Sequence, residues 1–295
     1  MILLSLVGEQ PMPNLLVARA LKPSVCVWAH TDRTKPIAER LRQLLDPTPT
    51  ALLSVASYDV AAIEQQLENW LATQTHSNVV LNLTGGTKPM AWAAERVAAR
   101  HAIPFVYLQT EGRAAKLMRY QSTGDALKLI ESRDLPALIH SEDYLRAHNL
   151  WDWRIKVEPR RDPFEALVEP ILRAACDQVL ANVDFNAFEV DFVLRRGNHI
   201  GVVECKSGRQ KMTYKKRAGI DQLVIASDNK YLGTYTERFL IVDSLLTPNL
   251  LALADARKIR VVALLSAPAR QYKSLLPSEE RQLIQVIKSS LGESK

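Results

Sequence analysis

Cysteine is scarce: three residues in 295, Cys26, Cys176 and Cys205, far apart and with no CxxC pair. That disfavours a disulfide framework and a zinc site. It fits a reducing, cytoplasmic setting in which each thiol is a small buried apolar residue. No run of about 18 apolar residues occurs either, so no membrane span is expected. The N-terminus MILLSLVGEQ is apolar but short and has no basic leader, so it reads as a buried strand and not as a signal peptide. Two phosphate-binding patterns are also missing. Segment 82–90, NLTGGTKPM, is not GxxxxGK[ST], because Pro89 follows Lys88. The early turn GEQPMPN has a single glycine and is not GxGxxG. An ATPase and a dinucleotide-dependent dehydrogenase are therefore disfavoured.

What is present is ordinary for a globular chain: 47% apolar and 24% charged residues, enough for a packed core. The length of 295 residues is close to two domains of the usual size of roughly 150. Lys and Arg exceed Asp and Glu by 38 to 32, a balance that favours a polyanionic partner without requiring one.

Over the first 110 residues, strand-like and helix-like segments alternate. Strands are expected at 2–7, 24–29, 51–55, 78–83 and 104–109, with helices at 14–21, 36–45, 59–73 and 88–101. Such alternation predicts an open parallel α/β sheet with helices on both faces. Segments KLMRYQ and LKLIES flank Ser-Thr-Gly-Asp and read as a hairpin, followed by a short helix at 141–148. The expected division is a first α/β domain at 1–111, a linker region at 112–160 and a second α/β domain at 161–295. The second domain opens with a helix at 163–181, kinked at Pro170. A hairpin follows, FEVDFVLRR–GN–HIGVVECK, then strands at 238–243 and 259–265 and helices at 217–224, 247–258 and near 277–291.

The strongest chemical signal is EVD, twelve residues, then ECK. Side chains alternate along a strand, so Glu204 and Lys206 share a face and Cys205 takes the other. Asp191 lies on the neighbouring hairpin strand, and Glu165 stands in the first turn of the preceding helix, with Glu169 an alternative one turn later. Carboxylates suit Mg²⁺ or Mn²⁺, which prefer oxygen ligands. Glu165, Asp191 and Glu204 are the expected metal ligands, and Lys206, kept charged by its acidic neighbours, would stabilise a phosphorane. This pattern resembles the PD-(D/E)xK nucleases, with Asp191, Glu204 and Lys206 on the core motif and Glu165 on the helical acid. Val190 stands where the name has proline. The segment KSGRQKMTYKKR, 206–217, carries six basic residues and suits a nucleic-acid backbone, with Tyr214 able to stack on a base; a solvated loop is the equal alternative. Gln222 is a weaker candidate for the reaction centre.

The second signal is LTGGTKPM, at a strand's carboxyl end and a helix's start, where backbone amides make an anion site. Together with GEQPMPN it resembles the CARF domain of CRISPR-associated effectors, and the whole chain resembles the CARF-plus-PD-(D/E)xK nucleases of type III CRISPR systems. That resemblance implies a Rossmann-like sensor, a restriction-endonuclease-like second domain and a homodimer that binds cyclic oligoadenylate, most often cyclic tetra-adenylate. It also implies metal-dependent cleavage of DNA or RNA. The ligand contacts it implies are Gln10, Met12, Pro13 and Asn14 from the first loop and Thr31 after the second strand. From the fourth loop come Thr84, Gly85, Gly86, Thr87, Lys88 and Met90. A tetranucleotide ring is compatible with a two-fold axis. Two other readings stay open: a non-catalytic nucleotide-sensing regulator, and a stand-alone repair or restriction nuclease.

Overall fold

The computed structural model describes residues 1–110, 115–123, 126–156, 162–208, 213–228 and 230–292. The chain divides into two units, Met1–Leu138 and Ile139–Lys295. In the first, apolar runs become β1 (Ile2–Leu6), β2 (Val25–His30), β3 (Thr50–Ser54), β4 (Val79–Asn82) and β5 (Phe105–Gln109). Between them lie α1 (Met12–Leu21), α2 (Lys35–Leu44), α3 (Val60–Leu71) and α4 (Lys88–Arg100). The five strands are parallel in the order β3-β2-β1-β4-β5. Ile63, Leu67 and Leu71 recur at helical spacing on one face of α3, and they pack with Met90, Ala93, Ala94 and Val97 of α4 against one sheet face. Turn chemistry supports each start: Asp59 caps α3 by accepting from Ala62 N–H (3.0 Å), and Thr87 caps α4.

The hairpin strands β6 (Lys116–Thr123) and β7 (Ala126–Asp134) extend this same sheet, β6 antiparallel to β5 and β7 antiparallel to β6. The segment 112–160 is thus not one linker. Its hairpin completes the first sheet because β5 offers it a free edge, while α5 (Ser141–Ala147) and β8 (Arg154–Ile155) belong to the second unit, where β8 pairs with the strand Gln178–Asp184.

The second unit has a mixed sheet in the order β13-β12-β11-β10-β9-β8. Its strands are β9 (Gln178–Asp184), β10 (Glu189–Arg196), β11 (His199–Lys206), β12 (Glu237–Val242) and β13 (Ile259–Ala263). The helices are α6 (Pro163–Ala175), α7 (Thr213–Ala226), α8 (Pro248–Ala256), the four-residue α9 (Ser266–Ala269) and α10 (Pro277–Leu291). One correction is needed here. The helix expected over 163–181 ends at Ala175, and residues from Gln178 form a strand, because β10 supplies backbone partners from Gln178↔Arg195 onward. The helix passes through Pro170 without ending. Phe164, Val168 and Leu172 of α6 pack with α10 on the sheet face that carries Val203 and Cys205. Helix α7 covers the other face, against β10, β11 and β12. No helix among the described residues is long and apolar enough to cross a membrane.

Candidate functional site

At the carboxyl end of β11 the alternation expected from sequence holds. Val203 and Cys205 join the core on the α6 side, and Glu204 and Lys206 face α7. The antiparallel register Phe192↔Val203 brings Asp191 to the level of Glu204. Asp191 Oδ2 accepts from Cys205 N–H at 2.6 Å, which fixes the carboxylate across the hairpin. Lys206 Nζ donates to Glu204 Oε2 at 2.5 Å. A cavity of about 310 Å³ opens beside them, lined by Asp162, Glu165, Cys205, Lys206, Ser207, Ala218 and Gln222. Glu165 and Lys206 therefore face the cavity directly, while Glu204 lies behind Lys206 with 1% of its surface exposed. Glu169, the alternative acid, is held by Arg173 on its own helix. Helix α7 lies close because residue 219 is glycine: a Cβ there would stand 3.1 Å from Lys206 Cγ and Cε.

Burial raises the Glu204 carboxyl above the usual range, and the nearby Asp191 and Glu165 add to the shift against the pull of Lys206. For Lys206, burial opposes the charge, but Glu204 and Asp191 outweigh it and the ammonium is held above its ordinary value. Glu204 Oε1 is buried with no hydrogen-bond partner among the described residues, an expensive state for a carboxylate oxygen. A cation bound there would relieve it, and oxygen donors are what Mg²⁺ and Mn²⁺ take. The expected trio of Glu165, Asp191 and Glu204 is not a ready-made cage, however. Among the described residues no three His, Cys, Asp or Glu side chains stand close enough to enclose an ion by themselves. The donor set fits an ion held by one or two carboxylates and completed by water and phosphate oxygens.

In the first unit the loops after β1 and β4 run side by side where the strand order reverses, the place where open α/β sheets bind ligands. Glycine is obligatory at 85, where a Cβ would collide with the Leu6 carbonyl oxygen, and Gly86 takes a φ of +78°. A Cβ on Gly8 would reach Gly86 N at 3.0 Å, so the two loops touch through their backbones. Beneath them lies a buried polar cluster. Asn82 Nδ2 donates to Ser5 Oγ (3.2 Å) and to Asn14 Oδ1 (3.2 Å), Asn14 Nδ2 donates to the Leu6 carbonyl (3.2 Å), and Thr84 Oγ1 donates to Asn82 Oδ1 (2.7 Å). Thr87 Oγ1 donates to Ser57 O (2.7 Å) and accepts from Met90 N–H (3.3 Å). Lys88 is exposed on the first turn of α4.

Residues 2–133 match the family model of the Card1 CARF domain. No curated protein sequence matches the chain. Among solved structures, Can2 from Sulfobacillus thermosulfidooxidans, in complex with cyclic tetra-adenylate, has a TM-score of 0.73 at 17% identity, covering 97% of this chain and 99% of its own. Protein VC1899 from Vibrio cholerae has a TM-score of 0.71 at 12% identity, covering 99% of each chain. A type III CRISPR defence DNA nuclease activated by cyclic oligoadenylate has a TM-score of 0.56 at 17% identity, with 82% of this chain against 45% of that one. At these identities the likenesses show a shared fold.

Within the CARF-matching unit the expected ligand contacts separate into two groups. Gln10, Pro13, Thr84, Gly85, Gly86, Thr87 and Lys88 lie on or beside the two loops with some surface exposed. Asn14 and Met90 are fully buried and Thr31 is 5% exposed. Asn14 braces the loop backbone, Met90 packs under α4, and Thr31 bonds Thr34 at the start of α2. Met12 is nearly buried on α1 as well. Sequence reasoning missed Asn82 and Ser5, whose only mark is polarity inside otherwise apolar strands. It also missed Asp162, marked by its place as helix cap before Pro163. In the basic segment, residues 209–212 and the Tyr214 side chain lie outside the described residues. Lys216 is not available to a phosphate backbone: it is buried and donates to Ser244 Oγ (2.7 Å), Leu245 O (3.1 Å) and Ser244 O (3.2 Å).

Proposed function

We propose that the chain is a nuclease of type III CRISPR defence, switched on by cyclic oligoadenylate bound to the CARF-matching unit. The observation that carries this reading is the ion pair Glu204–Lys206 at the end of β11, with a buried unpaired carboxylate oxygen, beside a cavity that Glu165 lines. It supports a PD-(D/E)xK site in the second unit, with Asp191, Glu204 and Glu165 holding Mg²⁺ or Mn²⁺. Such an ion supplies Lewis-acid polarisation of the phosphate and a more acidic water. Lys206, charged and half-buried at the cavity wall, stabilises negative charge developing on the phosphoryl group; its low exposure strengthens that effect over what water would permit. DNA, RNA or both are substrates. Activator bound at a two-fold axis joins two copies of the loops after β1 and β4, which makes the working form a cytoplasmic homodimer. Support for the activator class comes from the Card1 CARF match and from the fold shared with a protein that carries cyclic tetra-adenylate.

The test is cleavage of labelled DNA and RNA in Mn²⁺, with and without cyclic tetra-adenylate and cyclic hexa-adenylate. Cleavage that needs both metal and one activator is the expected result. Cutting without activator favours a stand-alone enzyme, and activator binding without cleavage in any metal favours a non-catalytic regulator. Either outcome sinks the proposal.

A further inference from the structure

Beside the second unit's cavity, which Asp162 and Ser207 line, four segments are tied together by groups outside the reacting set. Asp243, immediately after β12, is 3% exposed, and its Oδ2 accepts from both Gly208 N–H (2.7 Å) and the Tyr272 hydroxyl (2.7 Å). Ser244 Oγ donates to Asp243 Oδ1 at 3.0 Å. The Tyr272 ring meets the Phe164 ring edge to face, centroids 5.9 Å apart, and Phe164 is the residue before Glu165. Asp162 Oδ1 accepts from Phe164 N–H (2.7 Å), and Ser207 Oγ donates to Asp162 Oδ2 (3.4 Å). The circuit is closed: Phe164, Tyr272, Asp243, Gly208, Ser207, Asp162 and back to Phe164. It joins the first turn of α6, which bears Glu165, to the two residues that follow Lys206.

The backbone that delivers Tyr272 is unusual. Gln271 and Tyr272 have φ of +54° and +56°, two consecutive left-handed residues, neither a glycine. Such conformations persist where the surroundings over-determine them, and they concentrate at sites that need a fixed geometry. Here the surroundings include backbone bonds to α9, from Gln271 N–H to Pro268 O (3.1 Å) and from Tyr272 N–H to Ala267 O (2.9 Å), with the hydroxyl bond to Asp243 and the ring contact to Phe164.

We infer that Tyr272 and Asp243 are positioning residues, which set the distance between Glu165 and Lys206 by clamping the start of α6 to the end of β11. The inference rests on the nuclease reading for its consequence in catalysis, and on the geometry alone for the clamp. Ligand-orienting partners of this kind typically carry 10- to 100-fold effects on metal affinity or activity.

Tyr272→Phe in the full chain is the test, since it keeps the ring on Phe164 and removes only the hydroxyl. Ser207→Ala, at the opposite side of the circuit, is the second variant. Three quantities are measured: hydrogen exchange of the Gly208 amide, the affinity for Mn²⁺ alone by calorimetry, and kcat and KM for activated cleavage. Expected for Tyr272→Phe are faster Gly208 exchange, about 10-fold weaker Mn²⁺ binding, and a kcat lowered about 10-fold with KM unchanged. Unchanged Gly208 exchange, or faster exchange with Mn²⁺ affinity and kcat both intact, overturns the inference. The failure of the nuclease reading looks different: wild type and Lys206→Ala then cleave equally or not at all, and Gly208 exchange with Mn²⁺ affinity still decides on the clamp.

Discussion

At the scale of single residues, Glu204 is the group under most tension. It is shielded from water, it bonds Lys206 through one oxygen, and its other oxygen has no partner among the described residues. Its carboxyl binds a proton more tightly in the folded state than in the unfolded chain, where it titrates in the ordinary range. The native state therefore holds a proton that the unfolded state has lost, and raising the pH through this window removes stability from the metal-free protein. Mn²⁺ competes with that proton, so its affinity should climb with pH and its uptake should release protons. Calorimetry in buffers of different ionisation enthalpy measures the release; uptake without proton release would disprove the assignment. Lys206→Ala and Glu204→Ala should each abolish cleavage while leaving activator binding intact, read by a cleavage assay alongside ligand titration. Lys206→Ala should also cost about 1–3 kcal/mol of stability, because it leaves the buried Glu204 carboxyl group without its hydrogen-bond partner. Glu204 and Lys206 share a face by strand alternation, which is a local property and was legible in the sequence. The partner of Asp191, the Cys205 amide, was not, since it depends on hairpin register.

Among elements, helix α7 decides how Lys206 is presented. Gly219→Ala sets two effects against each other. Alanine in a helix gains about 1 kcal/mol over glycine, while the new Cβ stands 3.1 Å from Lys206 Cγ and Cε and 3.0 Å from Leu240 Cδ1. The lysine side chain is flexible and gives way, so stability should change by less than about 1 kcal/mol while kcat falls. Thermal melts and single-turnover cleavage separate the two, and an unchanged kcat would mean that α7 does not set the lysine's position. The element boundaries show where local reasoning stops. Positions 178–181 continue a helical hydrophobic spacing from α6, yet pairing with β10 wins over propensity there. The hairpin at 116–134 was recognisable from its turn, but its membership in the first sheet depends on the open edge of β5.

For the molecule as a whole, the proposed function requires that occupancy of one unit control chemistry in the other. A ligand shifts an equilibrium only by its differential affinity for the two states. Lys88 is the exposed cation at the amino end of α4, where fixed backbone amides already favour an anion. Lys88→Ala should weaken cyclic tetra-adenylate binding about 10-fold, the loss of one charge-assisted contact of about 1.4 kcal/mol. The activator concentration giving half-maximal cleavage should rise by the same factor, as linkage requires. Equal affinities for wild type and variant, measured by calorimetry, would remove Lys88 from the ligand site.

Residue order alone determined the alternation of strand and helix in the first unit, the shared face of Glu204 and Lys206, and the glycine turn before α4. Each follows from periodicity or from a backbone constraint within a few residues. Tertiary structure decided what distant segments do to one another. It buried Asn14, Thr31 and Met90, and it placed Lys216 against the Ser244 and Leu245 carbonyl groups. It also joined Tyr272 to Asp243, and Asp243 to Gly208, two residues beyond Lys206. Burial and hydrogen-bond partners depend on which segments fold back on one another, and linear spacing carries no record of that.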